Sequence, residues 1–282
     1  MPPSQLPHYP PDARLLILNA DDFGFCNAIN EAIMRVLEAG LVHSTTLMVP
    51  CPWSFQAMQY LAAHPEIPFG VHLTAISDPA AYRWRPVTPW NRLPSLVDSL
   101  GYFHNFEDRH ARLARVNLNE LELEFRAQID LVLKAGLHPT HLDWHALRIK
   151  GGTKIFDLLI RLAKDYGLAL RVMGQSAIDS LQGQGLPTID YDFLDSYSVE
   201  PSALAAHYTR RLRELPPGLS EWAVHPGLDS AELLAIEPGS HFRQSEFNFW
   251  TSAQAKEIIE EEGIILLDYR ALQTIWREKA VR

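Results

Sequence analysis

Short apolar runs alternate with helical segments along most of the chain, and this alternation constrains the fold more than any other feature. The runs have the continuous apolar or β-branched character of strands that are buried on both faces. They occupy residues 15–18, 42–49, 69–74, 140–144, 168–172, 221–225 and 264–267. Strands separated by helices form a parallel sheet from right-handed βαβ units, so the sequence predicts an α/β fold.

The helical segments between these runs have recognisable ends. Residues 117–134 carry a strong apolar stripe at helical spacing, and Gly136 follows as a stop signal. Residues 251–262 are predicted to form a helix that Thr251 caps and Gly263 closes. About seven βα units without a linker predict one domain over residues 1–282, a closed or nearly closed parallel barrel. An open doubly wound sheet is the alternative.

Two segments depart from this rhythm. Residues 1–13 are rich in proline and are expected to form an extended tail. Residues 76–110 hold several prolines together with Trp84 and Trp90, and they are expected to form a long structured loop. Because long loops in compact domains are usually functional, we expect this one to border the active site.

Composition excludes several classes of protein. The 282 residues are 47% hydrophobic and 21% charged, which is typical of a soluble globular protein. The net charge of −9 argues against a nucleic-acid partner. Only Cys26 and Cys51 are present, so no disulfide framework is expected. With neither a signal-peptide pattern nor a transmembrane run, a cytoplasmic protein with no membrane partner is expected.

Polar residues gather where the predicted strands end. They are Asp21 and Asp22 after the first strand, His72 in the third, Asp143 and His145 at the fourth, and His225 at the sixth. In parallel α/β folds the carboxyl ends of the strands form one rim, and ligands bind there. The sequence therefore predicts a functional site at this rim.

The adjacent acids Asp21 and Asp22 are the most informative of these residues. Two neighbouring carboxylates are unfavourable together unless a positive group neutralises them. On a turn leaving a strand their side chains diverge, so one can reach a metal ion while the other stays free. The alternative is that one of them only caps the following helix.

Histidines supply the other candidate metal ligands. An Asp with two His is a common first shell for a catalytic divalent ion. His141 and His145 lie on one strand, roughly 13 Å apart at about 3.3 Å per residue, so they cannot both bind one ion. His145, at the strand end, is the better candidate, and His141 is expected to be structural. His72 has a hydrogen-bonded core histidine as its alternative.

His225 lies in the sequence Val224-His225-Pro226-Gly227. An imidazole titrates near neutral pH, so at this rim it has the right placement for a general acid. The alternative is a histidine that belongs to a tight turn.

Several segments together resemble the YdjC/ChbG family of carbohydrate deacetylases. The resemblance runs from about residue 14 to 270 and rests on motifs that occur in the family's order. They are Asn19-Ala20-Asp21-Asp22-Phe23-Gly24, Ser44-Thr45-Thr46, Gly70-Val71-His72-Leu73-Thr74, the loop at 96–103, Thr140-His141-Leu142-Asp143-Trp144-His145 and Val224-His225-Pro226-Gly227. The resemblance implies a single distorted (β/α) barrel that removes N-acetyl groups from an amino sugar or oligosaccharide.

The resemblance also implies roles for individual residues. Asp22, His72 and His145 would hold a divalent ion, usually taken to be Mg²⁺, with Zn²⁺ as the alternative. Asp21 would be the base that activates the metal-bound water. His225 would protonate the leaving amine.

Arg243 and Glu246 match a late Arg-x-x-Glu pattern of the family. The resemblance implies that they orient the catalytic groups, and a surface ion pair is the alternative reading of these two residues.

One segment departs from the family. Many members continue the fourth-strand motif with further histidines, whereas this chain reads Trp144-His145-Ala146-Leu147-Arg148. This puts specificity for chitobiose in question. Trp84, Trp90 and Trp144 are candidates for a wall that stacks on a sugar ring, with core packing as the alternative.

Two other functions stay open at this stage. The same metal site suits hydrolysis of another amide or of an ester, and a catalytically silent barrel that binds a carbohydrate would keep the fold without the reaction. A homodimer is compatible with the sequence.

Overall fold

Seven parallel strands form one sheet. The computed structural model describes residues 6, 9–78, 82–146, 149–195 and 199–280. Residues 1–5, 7 and 8 of the expected tail and 79–81 of the expected loop lie outside the described residues. The strands are β1 (Arg14–Phe23), β2 (Ser44–Leu47), β3 (Phe69–Leu73), β4 (His141–Trp144), β5 (Ala169–Leu170), β6 (Gly218–Val224) and β7 (Ile265–Leu267).

The sheet curls into a half-barrel in which β1 pairs with three other strands. Its strands follow the order β5-β4-β3-β2-β1-β6, and β7 also pairs with β1. Because a strand has only two edges, β7 and β2 share one edge of β1, and β6 takes the other. Leu194 bridges to β6 at Trp222. Within the described residues no ladder joins β5 to Leu194, so the curl stays open there. The predicted distorted barrel of parallel strands is confirmed.

Helices cover the sheet, as the βαβ pattern requires. The described residues contain α1 (Asn27–Glu38), α2 (Ser54–Ala63), α3 (Arg109–Leu113), α4 (Leu118–Lys134), α5 (Lys154–Tyr166), α6 (Gln175–Gly183), α7 (Leu204–Arg213), α8 (Ala231–Ile236), α9 (His241–Trp250), α10 (Ala253–Glu261) and α11 (Arg270–Ala280). The helix predicted at 251–262 is capped by Ser252, not by Thr251. No helix was predicted at α6, α8 or α9. None of the described helices has the length and apolar character needed to cross a bilayer.

Helix α4 fixes the carboxyl end of β3. Its apolar face buries Leu121, Phe125 and Ile129 against the core. Beside them the buried side chain of Gln128 accepts a hydrogen bond from the backbone N–H of Thr74 at 3.0 Å and donates one to its carbonyl at 2.7 Å. These bonds satisfy the backbone where β3 leaves the sheet, so the strand end that carries His72 is held in place.

A β-bulge brings both acids of the Asp21-Asp22 pair to the same rim. Ala20 pairs with Thr45 and Phe23 with Leu47, so two residues of β1 face the single residue Thr46. Asp22 has φ of 73°, in the left-handed region. In a regular strand neighbouring side chains point to opposite faces. The strand thus continues through the pair, which corrects the expectation that Asp21 and Asp22 follow the strand on a turn.

The close packing at Gly70 yields a stability prediction. A Cβ at Gly70 would lie 2.5 Å from the ring of His141, which is itself stacked on Tyr269 at 3.7 Å between ring centroids. Because the ring has no room to retreat, Gly70→Ala is expected to lower the free energy of unfolding by roughly 1–3 kcal/mol in urea denaturation. Gly183→Ala is the control, since no atom lies within 4 Å of its Cβ position. Equal stability of Gly70→Ala and wild type would contradict the packing.

Candidate active site

One cavity of about 790 Å³ opens at the carboxyl ends of the strands. The candidate site residues from the sequence that line it are Asp21, Asp22, His72, Trp144, His145, His225 and Arg243. The two aspartates come from the bulge in β1, His72 from β3, and His145 from the residue after β4. Arg243 comes from α9, for which the sequence showed no helical pattern.

Asp22, His72 and His145 form a group that fits a metal ion. Asp22 Oδ1 lies 3.5 Å from His72 Nε2 and 3.4 Å from His145 Nδ1, and one ligand atom of each residue lies within 4.8 Å of the others. Metal–nitrogen and metal–oxygen bonds are about 2.0–2.2 Å long. Two ligand atoms of one ion therefore lie roughly 3–4 Å from each other, as the atoms of this group do. All three residues are buried. The donor set and its spacing therefore fit a divalent ion.

A second carboxylate orients each of these histidines. Asp143 Oδ1 lies 2.6 Å from His72 Nδ1, and Asp78 Oδ2 lies 3.0 Å from His145 Nε2. A carboxylate on one ring nitrogen fixes which nitrogen faces the ion and makes it a stronger donor. The sequence pointed to Asp143 at a strand end without giving it a role, and it gave no signal for Asp78.

The same carboxylates control the charge of the histidines. Burial by itself would lower the pKa of both rings. Asp143, with Asp22 and Asp21, raises the pKa of His72 to about 9. Asp78, with Asp22, raises the pKa of His145 to about 10. Both rings are therefore protonated at neutral pH in the metal-free protein.

Arg243 divides the two oxygens of Asp22 between two tasks. Its Nη2 donates to Asp22 Oδ2 at 2.9 Å, and its Nε donates to Glu237 at 2.7 Å. This leaves Asp22 Oδ1 facing the two histidines. Burial would raise the pKa of Asp22, but Arg243, His145 and His72 hold it well below the usual range. Asp22 is thus a permanent anion with one oxygen directed at the metal group.

Arg171 plays the corresponding part for Asp21. Its Nη1 donates to Asp21 Oδ2 at 2.7 Å, and its Nη2 donates to Asp21 Oδ1 at 3.0 Å. Asn19 adds a third hydrogen bond to Oδ1 at 2.7 Å. Burial would raise the pKa of Asp21, yet Arg171, with His72 and His225, lowers it to about 2. In the sequence, Arg171 differs from its neighbours as a charged residue within the apolar run 168–172, and no role was predicted for it.

His225 lines the cavity beside Asp21, and Glu246 supports it from behind. His225 Nε2 lies 3.8 Å from Asp21 Oδ2. Burial lowers the pKa of His225 in spite of the two nearby aspartates. Glu246 is buried behind it, where it accepts hydrogen bonds from the backbone N–H of His225 and from the hydroxyl of Tyr208. It is not among the described residues that line the cavity.

The three candidate tryptophans occupy different environments. Trp144 lines the cavity, and its buried indole N–H has no hydrogen-bond partner within the described structure. Trp84 is buried and packs edge-on against His145 and Phe25. Trp90 is 46% exposed and lies over Gly101. Trp84 and Trp90 do not belong to the described lining of the cavity, whereas Trp144 does.

The fold and this group of residues define a parallel α/β half-barrel protein with a candidate divalent-metal site at its rim. The family model described as YdjC-like protein matches residues 15–261. The chain therefore belongs to the YdjC family.

Named relatives and a solved structure agree with this assignment. A carbohydrate deacetylase of Enterococcus faecalis is 32% identical, over 92% of this chain and 98% of its own length. A chitooligosaccharide deacetylase of Yersinia enterocolitica is also 32% identical, over 91% and 98% of the two chains. A crystal structure from Enterococcus faecalis, whose description suggests cellobiose-phosphate cleavage, aligns with a TM-score of 0.77, 30% identity and coverage of 92% and 99%.

The raised pKa values of the histidines predict how metal affinity depends on pH. An ion that binds His72 and His145 displaces their protons, so affinity is expected to rise as the pH increases from 6 towards 9 and 10. Calorimetric titration with Mn²⁺ at pH 7, in two buffers of different ionisation enthalpy, is expected to show release of up to about two protons. The control variant is Asp22→Asn, which is expected to weaken Mn²⁺ binding itself. Metal binding without proton release would contradict the prediction.

Proposed function

We propose that this protein is a divalent-metal-dependent hydrolase that removes N-acetyl groups from an amino sugar or oligosaccharide. The observation that carries the proposal is the juxtaposition, in one cavity, of the Asp22, His72 and His145 group with Asp21 and His225. The relatives named carbohydrate deacetylase and chitooligosaccharide deacetylase support the choice of bond and substrate class.

Asp22, His72 and His145 would hold the ion. When bound, it supplies Lewis-acid chemistry, polarising the acyl carbonyl and lowering the pKa of water. The family resemblance favours Mg²⁺, whereas two imidazole donors are also typical of Zn²⁺.

Asp21 and His225 would move the protons. Asp21 is ionised and aimed by Arg171, so it can accept a proton from the attacking water. His225 Nε2 lies 3.8 Å from the same carboxylate, beyond direct hydrogen-bond distance, so the proton would pass to its ring through a bridging water. A buried imidazole with a lowered pKa is a strong acid once protonated, and it can then give the proton to the leaving nitrogen. Arg243 would orient Asp22 at the edge of the cavity, and Glu246 would orient His225 from behind it.

Trp144 would contact the sugar. Its side chain lines the cavity, so its aromatic surface can stack on the apolar face of a sugar ring. The cavity volume is in the range of sites that enclose drug-sized ligands, which leaves room for an oligosaccharide end beside the N-acetyl group.

Replacement of Asp21 separates catalysis from metal binding. Asp21→Asn keeps the size of the side chain but cannot accept the water proton, so acetate release from N-acetylated chito-oligosaccharides is expected to fall by at least about 10²–10⁴-fold. Mn²⁺ affinity is expected to stay within a few-fold of wild type. Asp179→Asn, on the surface of α6, is the matched control. Normal turnover by Asp21→Asn would remove Asp21 from the mechanism. If the wild type binds metal but releases no acetate from any N-acetylated sugar, the proposed function is wrong.

Replacement of Trp144 tests the sugar contact. Trp144→Leu keeps an apolar side chain and removes the aromatic face, so KM is expected to rise roughly three- to tenfold, the effect of one stacking contact, with a smaller change in kcat. Trp90→Leu tests the alternative from the sequence and is expected to leave KM unchanged. A KM change in Trp90→Leu alone would contradict the assignment of the sugar contact to Trp144.

A further inference from the structure

A continuous series of buried contacts joins the C-terminal helix to Asp21. Tyr269 directly precedes α11, and its hydroxyl donates to Glu221 Oε2. Glu221 lies in β6, and its Oε1 accepts from Arg171 Nε at 2.6 Å. Arg171 in turn holds Asp21 through both of its Nη atoms. All four residues are buried.

Because the guanidinium of Arg171 is rigid, its contact with Glu221 affects how it binds Asp21. A guanidinium is planar and its donors have a fixed fork geometry, so holding one edge sets the direction of the others. Glu221 holds Nε–H, which leaves both Nη atoms directed at Asp21. Nη1 also donates to Asp143 Oδ2 at 2.5 Å, so Asp143 competes with Asp21 for Arg171. Without Glu221, the guanidinium can turn towards Asp143 and away from Asp21.

The position of the Tyr269 hydroxyl is itself fixed from two further strands. The ring of Tyr269 stacks on that of His141 in β4, with 3.7 Å between centroids and 12° between planes. Gly70 in β3 leaves the space for the His141 ring, and Thr140 Oγ1 lies 3.0 Å from His141 Nδ1. His141 therefore has a defined role in the structure: it orients Tyr269.

We propose that Tyr269 and Glu221 are positioning residues that act through Arg171 to aim the carboxylate of Asp21. Neither is among the described residues that line the cavity, so neither is expected to touch the substrate. The catalytic consequence rests on the proposed deacetylase function, whereas the coupling of Tyr269 to Arg171 does not.

The kinetic test uses two variants that keep side-chain size. Tyr269→Phe retains the stack on His141 and removes only the hydroxyl, so kcat for acetate release is expected to fall roughly three- to tenfold. Glu221→Gln removes the charge that holds Arg171 and is expected to cost about a hundredfold in kcat. KM and Mn²⁺ affinity are expected to stay within about twofold in both. The double variant is expected to be no slower than Glu221→Gln alone, because both changes act through one contact.

Trp276→Phe is the matched control. Trp276 also belongs to α11 and is buried, and its indole N–H donates one hydrogen bond, to the carbonyl of Pro187 at 2.9 Å. Trp276→Phe is expected to lower thermal stability, as Tyr269→Phe does, and to leave kcat at the wild-type value. A similar fall of kcat in Trp276→Phe would reduce the role of Tyr269 to general stability of the helix.

A second readout does not depend on activity. Because Arg171 Nε–H is buried against Glu221, its proton is expected to give a protected NMR signal that shifts in Tyr269→Phe and in Glu221→Gln but not in Trp276→Phe. An unchanged signal in the first two variants, or a double variant whose loss is the product of the single losses, would overturn the coupling. If the wild type releases no acetate, the deacetylase function fails, and the signal still decides whether Tyr269 controls Arg171.

Discussion

The pairing of two adjacent buried carboxylates with two arginines is the interaction on which the site depends. Asp21 and Asp22 are 4% and 1% exposed. Like charges buried together are strongly unfavourable unless each is paired and hydrogen-bonded. Arg171 neutralises Asp21, and Arg243 neutralises Asp22 through one oxygen only. Because Arg171 follows β5 and Arg243 lies on α9, β1 can carry its two charges only when these distant elements are in place. The site is therefore a property of the complete fold rather than of one loop.

The bulge in β1 explains how neighbouring residues acquire different tasks. It directs both carboxylates into one cavity, and Asp22 adopts the left-handed backbone conformation that Asp tolerates better than most residues. Backbone conformations of this kind persist where the surrounding contacts hold them. Here the contact with Arg243 holds Asp22 on one side of the bulge, and Arg171 with Asn19 holds Asp21 on the other. The left-handed conformation thus falls on the residue that faces the histidines.

Charge balance connects the metal group to its surroundings. The carboxylates of Asp22, Asp78 and Asp143 surround two histidines, and they stabilise positive charge at that point. In the metal-free protein protons on His72 and His145 supply this charge, and a divalent ion supplies the same charge when it replaces them. The acids that orient the rings therefore also favour a cation between them. This is a physical reason for the ion that does not depend on the resemblance to a family.

The sequence by itself determined the class of fold and the rim where the chemistry lies. Alternating apolar runs and helical stripes report local backbone structure and burial, and parallel topology then places strand ends such as those near Asp21 and His145 at one edge. Only the tertiary structure decided how these residues are used. The contact of Arg171 with Asp21 spans 150 positions in the chain, and that of Arg243 with Asp22 spans 221. It also decided that the Trp84 side chain packs in the core and that Trp144 reaches the cavity. Periodicity carries no information about which distant side chains meet, because those contacts depend on packing in three dimensions.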